Sequence, residues 1–361
     1  IECLAKETKI KKENIIDFVF DPHNKTSLLN KGELVQIKEK LDKLKVVDPA
    51  VGSASFLVGM MNILVELHQE FTRNLENKEG NLFALKQKII RDNLYGVAVK
   101  DWTVMVGELR LWLSLIIETD EKYMDIYTKP LLPNLSFKIR QGDSLIQEIA
   151  GLQINLKGEM HHIPAPIRHK IKDLIDKKSA YFSGLRSADL KEMKEIEKFE
   201  QDIFKEIVDN KIAETKKKIN GKYEQISQVI QRQTLIGGQH PDDIEEIQKI
   251  EKEIQSENER IKIYEEVSRN IGKKTKKDYF LWELDFVEVF SEKGGFDIVI
   301  GNPPYVRQEL IAPPLETRNK YSEEDWREIK KEYKEKLIQS VQNVWNNITK
   351  IDRKSDLYVY F

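Results

Sequence analysis

Four consecutive residues, Asn302-Pro303-Pro304-Tyr305, combine groups that suit the binding of a planar amine. Two prolines fix two backbone φ angles and remove two amide donors, so the carbonyls beside Asn302 are held in place as acceptors. The asparagine amide oxygen adds a second acceptor, and Tyr305 adds an aromatic face. The alternative interpretation is a plain strand end, where Pro-Pro stops the strand and Tyr305 is a half-buried loop residue.

The residues before this turn predict the element that positions it. Residues 296–300, Phe-Asp-Ile-Val-Ile, have the pattern of a buried parallel strand that runs directly into Gly301 and Asn302. Open α/β sheets bind ligands outside the carboxyl ends of their strands. We therefore expect Asn302 to lie at the ligand-binding edge of a parallel sheet.

Three earlier segments repeat the order of strand, turn and helix or loop. Residues 44–47 predict a short strand, followed by the turn Asp48-Pro-Ala-Val-Gly-Ser-Ala-Ser-Phe-Leu57 and a helix to about residue 72. Small residues and a helix amino terminus allow a ligand to approach backbone amides, although an ordinary strand-to-helix corner has the same pattern. Residues 93–99 predict the second strand and residues 102–117 its crossover helix. Residues 135–140 predict the third strand, which ends in Gly142-Asp143-Ser144.

In sequence detail, Asp48 to Leu57 resembles the first motif of the amino-group DNA methyltransferases, which holds S-adenosylmethionine. Residues 95–115, 279–309 and 350–358 are similar to the large adenine methyltransferases of fused type IIG restriction-modification enzymes and phage-defence systems. Four motifs stand in the family's order. The resemblance implies an α/β, Rossmann-like methyltransferase with a parallel sheet, S-adenosylmethionine as cofactor, and transfer of a methyl group to the N6 amine of adenine in DNA.

The resemblance also assigns roles to individual residues. Asn302 and the carbonyl of Pro303 are expected to accept the amine hydrogens, while Tyr305 stacks on an adenine that has left the duplex. Asp143 is expected to accept a hydrogen bond from the cofactor's own adenine amine. The implied catalytic residues are Asn302, Pro303, Pro304 and Tyr305. The implied cofactor-binding residues are Asp48, Pro49, Ala50, Gly52, Ser53, Phe56, Ala98, Val99, Asp143, Ser144 and Asp356.

Two positions depart from the family pattern. Ala54 stands where the family usually has a further glycine, and Ala98 stands where the subgroup has an acidic residue that accepts from the cofactor ribose. Asp101 is an alternative acceptor, although its position favours a helix cap. These departures predict weak cofactor binding and keep a non-catalytic, DNA-binding scaffold as an alternative. A protein glutamine methyltransferase is another, since a glutamine side-chain amide is also planar.

Composition narrows the remaining possibilities. The 361 residues carry Lys+Arg 59 against Asp+Glu 61, so the net charge of -2 argues neither for nor against a nucleic-acid partner. One cysteine excludes an internal disulfide and favours a reducing, cytoplasmic location. The apolar runs are too short to span a bilayer, so we expect no membrane association. His161, His162 and His169 lack the spaced partners of a metal site, and no metal is expected.

The predicted domain order has an insert. Residues 1–44 predict amino-terminal helices at 11–20 and 33–44, and residues 45–152 form the first part of the methyltransferase domain. Residues 153–278 are rich in Lys, Glu and Ile at helical spacing and predict an inserted antiparallel helical hairpin. Residues 279–361 form the second part. We expect a truncated carboxyl terminus, a missing target-recognition region for double-stranded DNA, and weak or absent methylation by this chain alone.

Overall fold

The computed structural model describes the chain at residues 1–20, 29–76, 81–117, 135–146, 148–149, 152–153, 164–183, 190–236, 241–272, 280–344, 351–352 and 354–361. The chain divides into two compact units. The first unit comprises Ile1–Ile146, Asp176–Met193 and Phe280–Phe361, and the second comprises Gln147–Ile175 and Lys194–Tyr279. Residues 176–193, which the sequence places in the insert, thus pack with the first unit.

The elements follow the chain in this order. The strands are β1 (Val46–Asp48), β2 (Leu94–Ala98), β3 (Ile139–Gln141), β4 (Glu148–Ile149), β5 (Leu152–Gln153) and β6 (Ile298–Val299). The helices are α1 (Glu2–Thr8), α2 (Lys12–Phe20), α3 (Lys31–Asp42), α4 (Ser55–Glu76), α5 (Leu82–Asn93), α6 (Asp101–Ile116), α7 (Ala165–Ser183), α8 (Leu190–Ile236), α9 (Pro241–Asn270), α10 (Trp282–Asp285), α11 (Val287–Lys293) and α12 (Glu323–Val344). Short 3-10 turns lie at Gln308–Leu310, Arg318–Lys320 and Leu357–Tyr360. Across these elements, no described helix is both long enough and apolar enough to cross a membrane.

A parallel sheet of four strands, in the order β3-β2-β1-β6, forms the centre of the first unit. Val47 of β1 lies opposite Tyr95 of β2 on one side and opposite Val299 of β6 on the other. The predicted α/β class with a parallel methyltransferase-like sheet is confirmed. From β1 the chain adds β2 and then β3 on one side of the sheet, and it later adds β6 on the opposite side of β1. The strand order therefore reverses between β1 and β6, and such a position is a topological switch point.

Alternate residues of the strands build two apolar layers, as the period of a strand requires. Val46 and Leu94 pack into the cluster formed with the helices on one face of the sheet. Val47, Tyr95 and Val97 pack on the other face with aromatic residues that include Phe286. Both faces of β1 and β2 are therefore buried, which fixes their register and the position of their carboxyl ends. The buried strand expected at residues 296–300 is wrong in part, because β6 contains only Ile298–Val299 and Val299 is 67% exposed at the edge of the sheet.

The third strand is shorter than the sequence predicts. Residues 135–140 were expected to form it, but β3 contains only Ile139–Gln141. Phe137 has a φ of 80°, and the Lys138 amide donates to the Leu135 carbonyl at 2.9 Å, so the backbone turns before β3 begins. The Phe137 ring packs edge-on against Tyr181, with 5.5 Å between ring centroids. Burial of this aromatic ring prevails over the strand propensity of its neighbours.

The second unit contains the long helices α8 and α9, and the predicted antiparallel helical hairpin is confirmed. Its apolar seam includes Ile219 of α8 and Ile254 of α9. Lys222 and Glu253 pair across the seam at 2.5 Å, and Lys216 pairs with Glu265 at 3.0 Å. The turn predicted at residues 237–240 lies outside the described residues. The unit also contains the two-stranded antiparallel sheet of β4 and β5.

Candidate active site

The first turn of the site follows β1. Asp48 ends the strand with only 1% of its surface exposed, and its Oδ1 accepts from the Ala50 amide at 2.9 Å. Burial raises the pKa of Asp48 to about 6. The Val51 amide donates to the Val97 carbonyl of β2 at 2.9 Å, which fastens the turn to the sheet. A buried acidic group thus lies at the carboxyl edge of the central strand.

Two residues of this turn have left-handed backbone conformations. Gly52 has a φ of 50°, and Ala54 has a φ of 61° although it carries a side chain. A left-handed conformation costs an L-residue about 1 to 2 kcal/mol. Ala54 is fully buried, and α6 approaches it closely at Gly107, where a Cβ atom would lie 3.5 Å from the Ala54 Cβ. The family's glycine at position 54 therefore corresponds to a real backbone requirement in this chain.

The remaining residues predicted at this turn lie near the amino terminus of α4. Pro49, Ala50 and Ser53 are half-buried, while Phe56 in the first turn of α4 is 43% exposed. The Ser53 and Ser55 hydroxyl oxygens lie 3.2 Å apart. Small, partly exposed residues beside free helix amides leave space for a polar ligand.

The end of β2 lacks a carboxylate. Ala98 is buried, and its carbonyl accepts from the Gly142 amide at 2.9 Å. The Val99 carbonyl accepts from Gln141 Nε2 at 3.1 Å. Asp101 begins α6, where its Oδ1 accepts from the Trp102 amide at 2.8 Å. The N-cap position of α6 is Lys100, and no side-chain hydrogen bond caps the helix, so the capping position expected for Asp101 is wrong.

The loop after β3 carries a second carboxylate, which is half-buried. Asp143 Oδ1 accepts from the Leu145 amide at 3.0 Å, and Oδ2 accepts from the Tyr333 hydroxyl at 2.7 Å. Burial raises the pKa of Asp143, and these hydrogen bonds oppose that rise. The Ser144 carbonyl accepts from the Trp282 indole at 3.0 Å. Sequence reasoning found Asp143 but missed Tyr333, because no local pattern links residues so distant in the chain.

The predicted acceptor turn, residues 302–305, follows β6 and lies next to the turn that follows β1. The Ile300 amide donates to the Val47 carbonyl at 2.9 Å, which extends the pairing of β1 and β6. A Cβ atom at Gly301 would lie 2.7 Å from Asp48 Oδ1, so only glycine fits there. Asn302 is exposed, and Tyr305 is 76% exposed. The structure thus brings the residue that precedes Asn302 into contact with the first motif.

A carboxyl-terminal segment returns to the acceptor turn. Asp356 Oδ1 accepts from the Gln308 amide at 2.8 Å, and the Leu357 amide donates to the Val306 carbonyl at 2.9 Å. The rings of Tyr305 and Tyr358 lie 5.8 Å apart between centroids. Asp356 therefore contacts the loop after the acceptor turn, and its predicted role toward the cofactor stays a prediction.

Metal ligands are not gathered at this site. In the described ranges of the chain, no group of three or more His, Cys, Asp or Glu residues is arranged to hold a metal ion. His169 is exposed on α7, while His161 and His162 lie outside the described residues.

Comparison with known proteins agrees with this arrangement. The family model described as Eco57I restriction-modification methylase matches residues 92–361, and the model described as MmeI, DNA-methyltransferase domain, matches residues 24–149. A protein of Methanocaldococcus jannaschii, named for a type II restriction enzyme and methyltransferase, is 27% identical over 314 residues. The alignment covers 79% of this chain and 24% of that relative, so the chain spans about a quarter of the relative's length. No solved structure matches the chain.

The first family model covers both the β2–β3 part of the sheet and the acceptor turn after β6, which are the parts that the resemblance singled out. The second covers the turn after β1. Together they include every strand of the parallel sheet and every loop at its carboxyl edge. The chain belongs to the Eco57I family of restriction-modification methylases.

Proposed function

We propose that this chain is the methyltransferase part of a restriction-modification enzyme and transfers a methyl group from S-adenosylmethionine to the N6 amine of adenine in double-stranded DNA. The observation that supports this most strongly is the pairing of β1 with β6. That pairing sets Gly301, the residue before Asn302, against the Asp48 carboxylate of the cofactor-type turn. A methyl donor and an amine acceptor have to meet in this way for direct transfer.

The residues present fit S-adenosylmethionine at two of three places. Asp143 offers a half-buried carboxylate to an adenine amine, and the small-residue turn around Gly52 and Ser53 offers room beside the amides of α4. The ribose position is the exception, because Ala98 supplies no side-chain acceptor. When bound, the cofactor supplies a sulfonium-activated methyl group. Asp48, Pro49, Ala50, Phe56, Val99, Ser144 and Asp356 are the further residues that we assign to its surroundings.

The acceptor turn orients the amine. The Pro304 carbonyl accepts from the Val306 amide at 3.0 Å, so this carbonyl is used within the turn. We assign the two amine hydrogens to the Asn302 amide oxygen and the Pro303 carbonyl, which would direct the nitrogen lone pair toward the methyl donor. Positioning and hydrogen bonding then supply the catalysis, and no side-chain nucleophile is required.

Tyr305 completes the acceptor site. Its ring is largely exposed, as a stacking surface for an adenine that leaves the duplex has to be. Stacking of a base on an aromatic side chain contributes about 1 to 3 kcal/mol. The asparagine at position 302 supports adenine as the target, because relatives that methylate cytosine at N4 usually carry serine at the head of this motif.

The proposal is tested by methylation of DNA by the complete protein that carries this sequence. The protein is incubated with labelled S-adenosylmethionine and genomic DNA, and the nucleosides are then separated and identified by mass spectrometry. We expect N6-methyladenine, with a rate at least about 100-fold lower in Asn302→Ala. Asn319→Ala, an exposed asparagine on the same unit, is the matched control and should retain the wild-type rate.

Three results would contradict the proposal in different ways. Label in N4-methylcytosine would show that the amine acceptor is cytosine. An unchanged rate in Asn302→Ala would show that the acceptor turn has been assigned wrongly. Label transferred to a peptide glutamine in place of DNA would support the glutamine methyltransferase alternative.

A further inference from the structure

The Tyr333 hydroxyl reaches a residue of the proposed cofactor site from a distant helix. Tyr333 lies in α12 with 9% of its surface exposed, and its hydroxyl donates to Asp143 Oδ2 at 2.7 Å. The residue separation is 190 positions, so the contact exists only because α12 packs against the loop after β3. Burial raises the pKa of Tyr333, which keeps the hydroxyl protonated and able to donate.

The hydrogen bond fixes the orientation of a carboxylate that would otherwise rotate. A carboxylate has about four acceptor positions. The Leu145 amide uses one position on Oδ1, the Tyr333 hydroxyl uses one on Oδ2, and the Ile146 amide also donates to this carboxylate. One oxygen is thus held by the loop and the other by α12, and acceptor capacity remains for an incoming amine. A short bond from a neutral donor also stabilises the charged form of a buried carboxylate, which is the form that accepts best.

The same turn of α12 contacts the loop that follows the acceptor turn. Lys330 Nζ donates to the Glu309 carbonyl at 2.5 Å, and Lys334 Nζ donates to Gln308 Oε1 at 3.4 Å. Leu337, one turn later, is fully buried in an apolar cluster with Tyr333. Helix α12 is therefore fixed by both polar and apolar contacts, and Tyr333 has little freedom to leave Asp143.

We propose that Tyr333 is a positioning residue that orients Asp143 for the adenine amine of the cofactor. This inference rests on the proposed function, since it takes Asp143 as the adenine acceptor. The helix that carries Tyr333 also holds the loop after Asn302, so the geometry of the cofactor site depends on the element that supports the acceptor turn.

The test measures binding and does not depend on turnover. Calorimetry compares S-adenosylhomocysteine with an analogue in which hydrogen replaces the 6-amino group of the purine. Tyr333→Phe removes one hydroxyl and keeps the ring in its cluster. We expect this variant to bind S-adenosylhomocysteine about 5- to 20-fold more weakly, the effect of losing a hydrogen bond to a charged group, while binding of the analogue stays within about twofold.

Two further variants serve as controls. Tyr360→Phe alters another tyrosine of the same cluster, and within the described structure the Tyr360 hydroxyl is buried without a hydrogen-bond partner. We expect it to change neither affinity by more than about twofold. Asp143→Asn should reduce the preference for the amino ligand, and adding Tyr333→Phe to Asp143→Asn should cause no further loss, since both act through one group.

The outcomes separate the inference from the proposed function. If Tyr333→Phe weakens both ligands equally, or tightens binding of S-adenosylhomocysteine, Tyr333 does not position Asp143 and the inference is overturned. If the wild-type protein prefers the amino ligand and Asp143→Asn keeps that preference, the inference fails while cofactor binding stands. If the wild-type protein binds neither ligand, the proposed function itself is wrong.

Discussion

At the scale of single residues, the site is defined by a close approach between Gly301 and Asp48. Because Gly301 has no side chain, the chain after β6 can lie against the Asp48 carboxylate, where a Cβ atom would be only 2.7 Å from Oδ1. The same approach removes water from Asp48, and this burial raises its pKa to about 6. A group held at such a cost to folding is typical of a functional site.

We predict that Asp48→Asn stabilises the ligand-free protein above pH 6. The folded-state pKa of about 6 lies above the ordinary value of 3.8. Between these values the folded protein holds a proton that the unfolded chain releases, so wild-type stability falls as pH rises from about 4 to about 6. Asparagine avoids this loss and should raise the free energy of unfolding by on the order of 1 to 3 kcal/mol at pH 7.5.

Urea denaturation at pH 4, 5 and 7.5 measures this difference. Asp173→Asn, which alters an exposed aspartate of α7, controls for the loss of one carboxylate. The gain from Asp48→Asn should be small at pH 4 and constant above pH 6. A gain that does not change with pH would rule out titration of Asp48 as its cause.

We predict that Ala98→Asp increases affinity for S-adenosylmethionine. The substitution would supply, at the end of β2, the acceptor that the ribose hydroxyls lack in this chain. A charge-assisted hydrogen bond is worth about 1.5 to 3 kcal/mol, so the dissociation constant should fall by about 10- to 100-fold. Titration calorimetry tests this, with Ala98→Asn as the uncharged comparison. Weaker binding by Ala98→Asp would mean that position 98 does not face the ribose.

Sequence reasoning could predict these residues only where a strand end and its motif coincide. Asp48 ends β1, while Asp143 and Asn302 lie shortly after β3 and β6, and a parallel sheet necessarily brings such strand ends to one edge. For Ala54 the family's glycine at this position was the only signal of a left-handed backbone, because an alanine by itself does not indicate that conformation. The hydrogen bond from Tyr333 to Asp143 could not be predicted either, since the two residues are far apart in the sequence.

At the scale of elements, β3 is joined to its neighbours by buried polar side chains. Lys138, in the turn before β3, is buried and donates to the Tyr95 hydroxyl at 3.0 Å. Its Nζ lies 4.1 Å from the ring centroid of Phe182 in α7. Lys178 of α7 is fully buried and donates to the Asp285 carbonyl at 3.0 Å. These two lysines thus join α7 to the turn before β3 and to α10, which accounts for the packing of its residues 176–183 with the first unit.

We predict that Lys138 makes wild-type stability rise with pH. Burial lowers the pKa of Lys138 to about 7. Between pH 7 and about 10, the unfolded chain keeps a proton that the folded protein has lost, so the free energy of unfolding should increase over this range. Relative to Lys138→Met, the wild-type protein should gain on the order of 2 to 4 kcal/mol between pH 7 and pH 9.5.

Equilibrium unfolding of both proteins at several pH values gives this comparison directly. Lys172→Met, which alters an exposed lysine of α7, controls for the loss of a positive charge. If the wild-type and Lys138→Met curves run parallel between pH 7 and pH 9.5, Lys138 does not titrate in that range.

At the scale of the whole molecule, the helical hairpin has its own internal packing. The seam between α8 and α9 buries isoleucines that include Ile250 and Ile261, and ion pairs flank it. A groove of about 580 Å³ lies between the two helices and is lined mainly by polar side chains, including Gln228 and Arg232. Because its contacts are local, the outer part of the hairpin should be separable from the methyltransferase sheet.

We therefore predict that the outer hairpin is dispensable for cofactor binding. Lys222 and Glu253 face each other across the seam. Residues 223–252 can therefore be replaced by a short Gly-Ser linker without changing how the remaining parts of α8 and α9 pair. Affinity for S-adenosylhomocysteine should stay within about twofold of the wild-type value. The matched control replaces the same residues and also carries Lys222→Ala, which removes the closing ion pair. A loss of cofactor affinity in the shortened protein would show that the outer hairpin supports the site.

The pairing of β1 with β6 also sets an order of assembly. The Lys45 amide donates to Asp297 Oδ2 at 2.7 Å across 252 positions of sequence, whereas β1, β2 and the helices between them meet within short stretches of chain. Contacts between distant residues form slowly, because the intervening chain must first lose entropy. Gly142 and Phe280 are in contact in the folded protein, so the two ends of the segment between them lie close together. We expect the hairpin to form early as a local structure that shortens the effective loop, and β6 to join the sheet last. The carboxyl edge of the sheet, where the proposed site lies, is then completed only in the final step of folding, when Gly301 packs against Asp48.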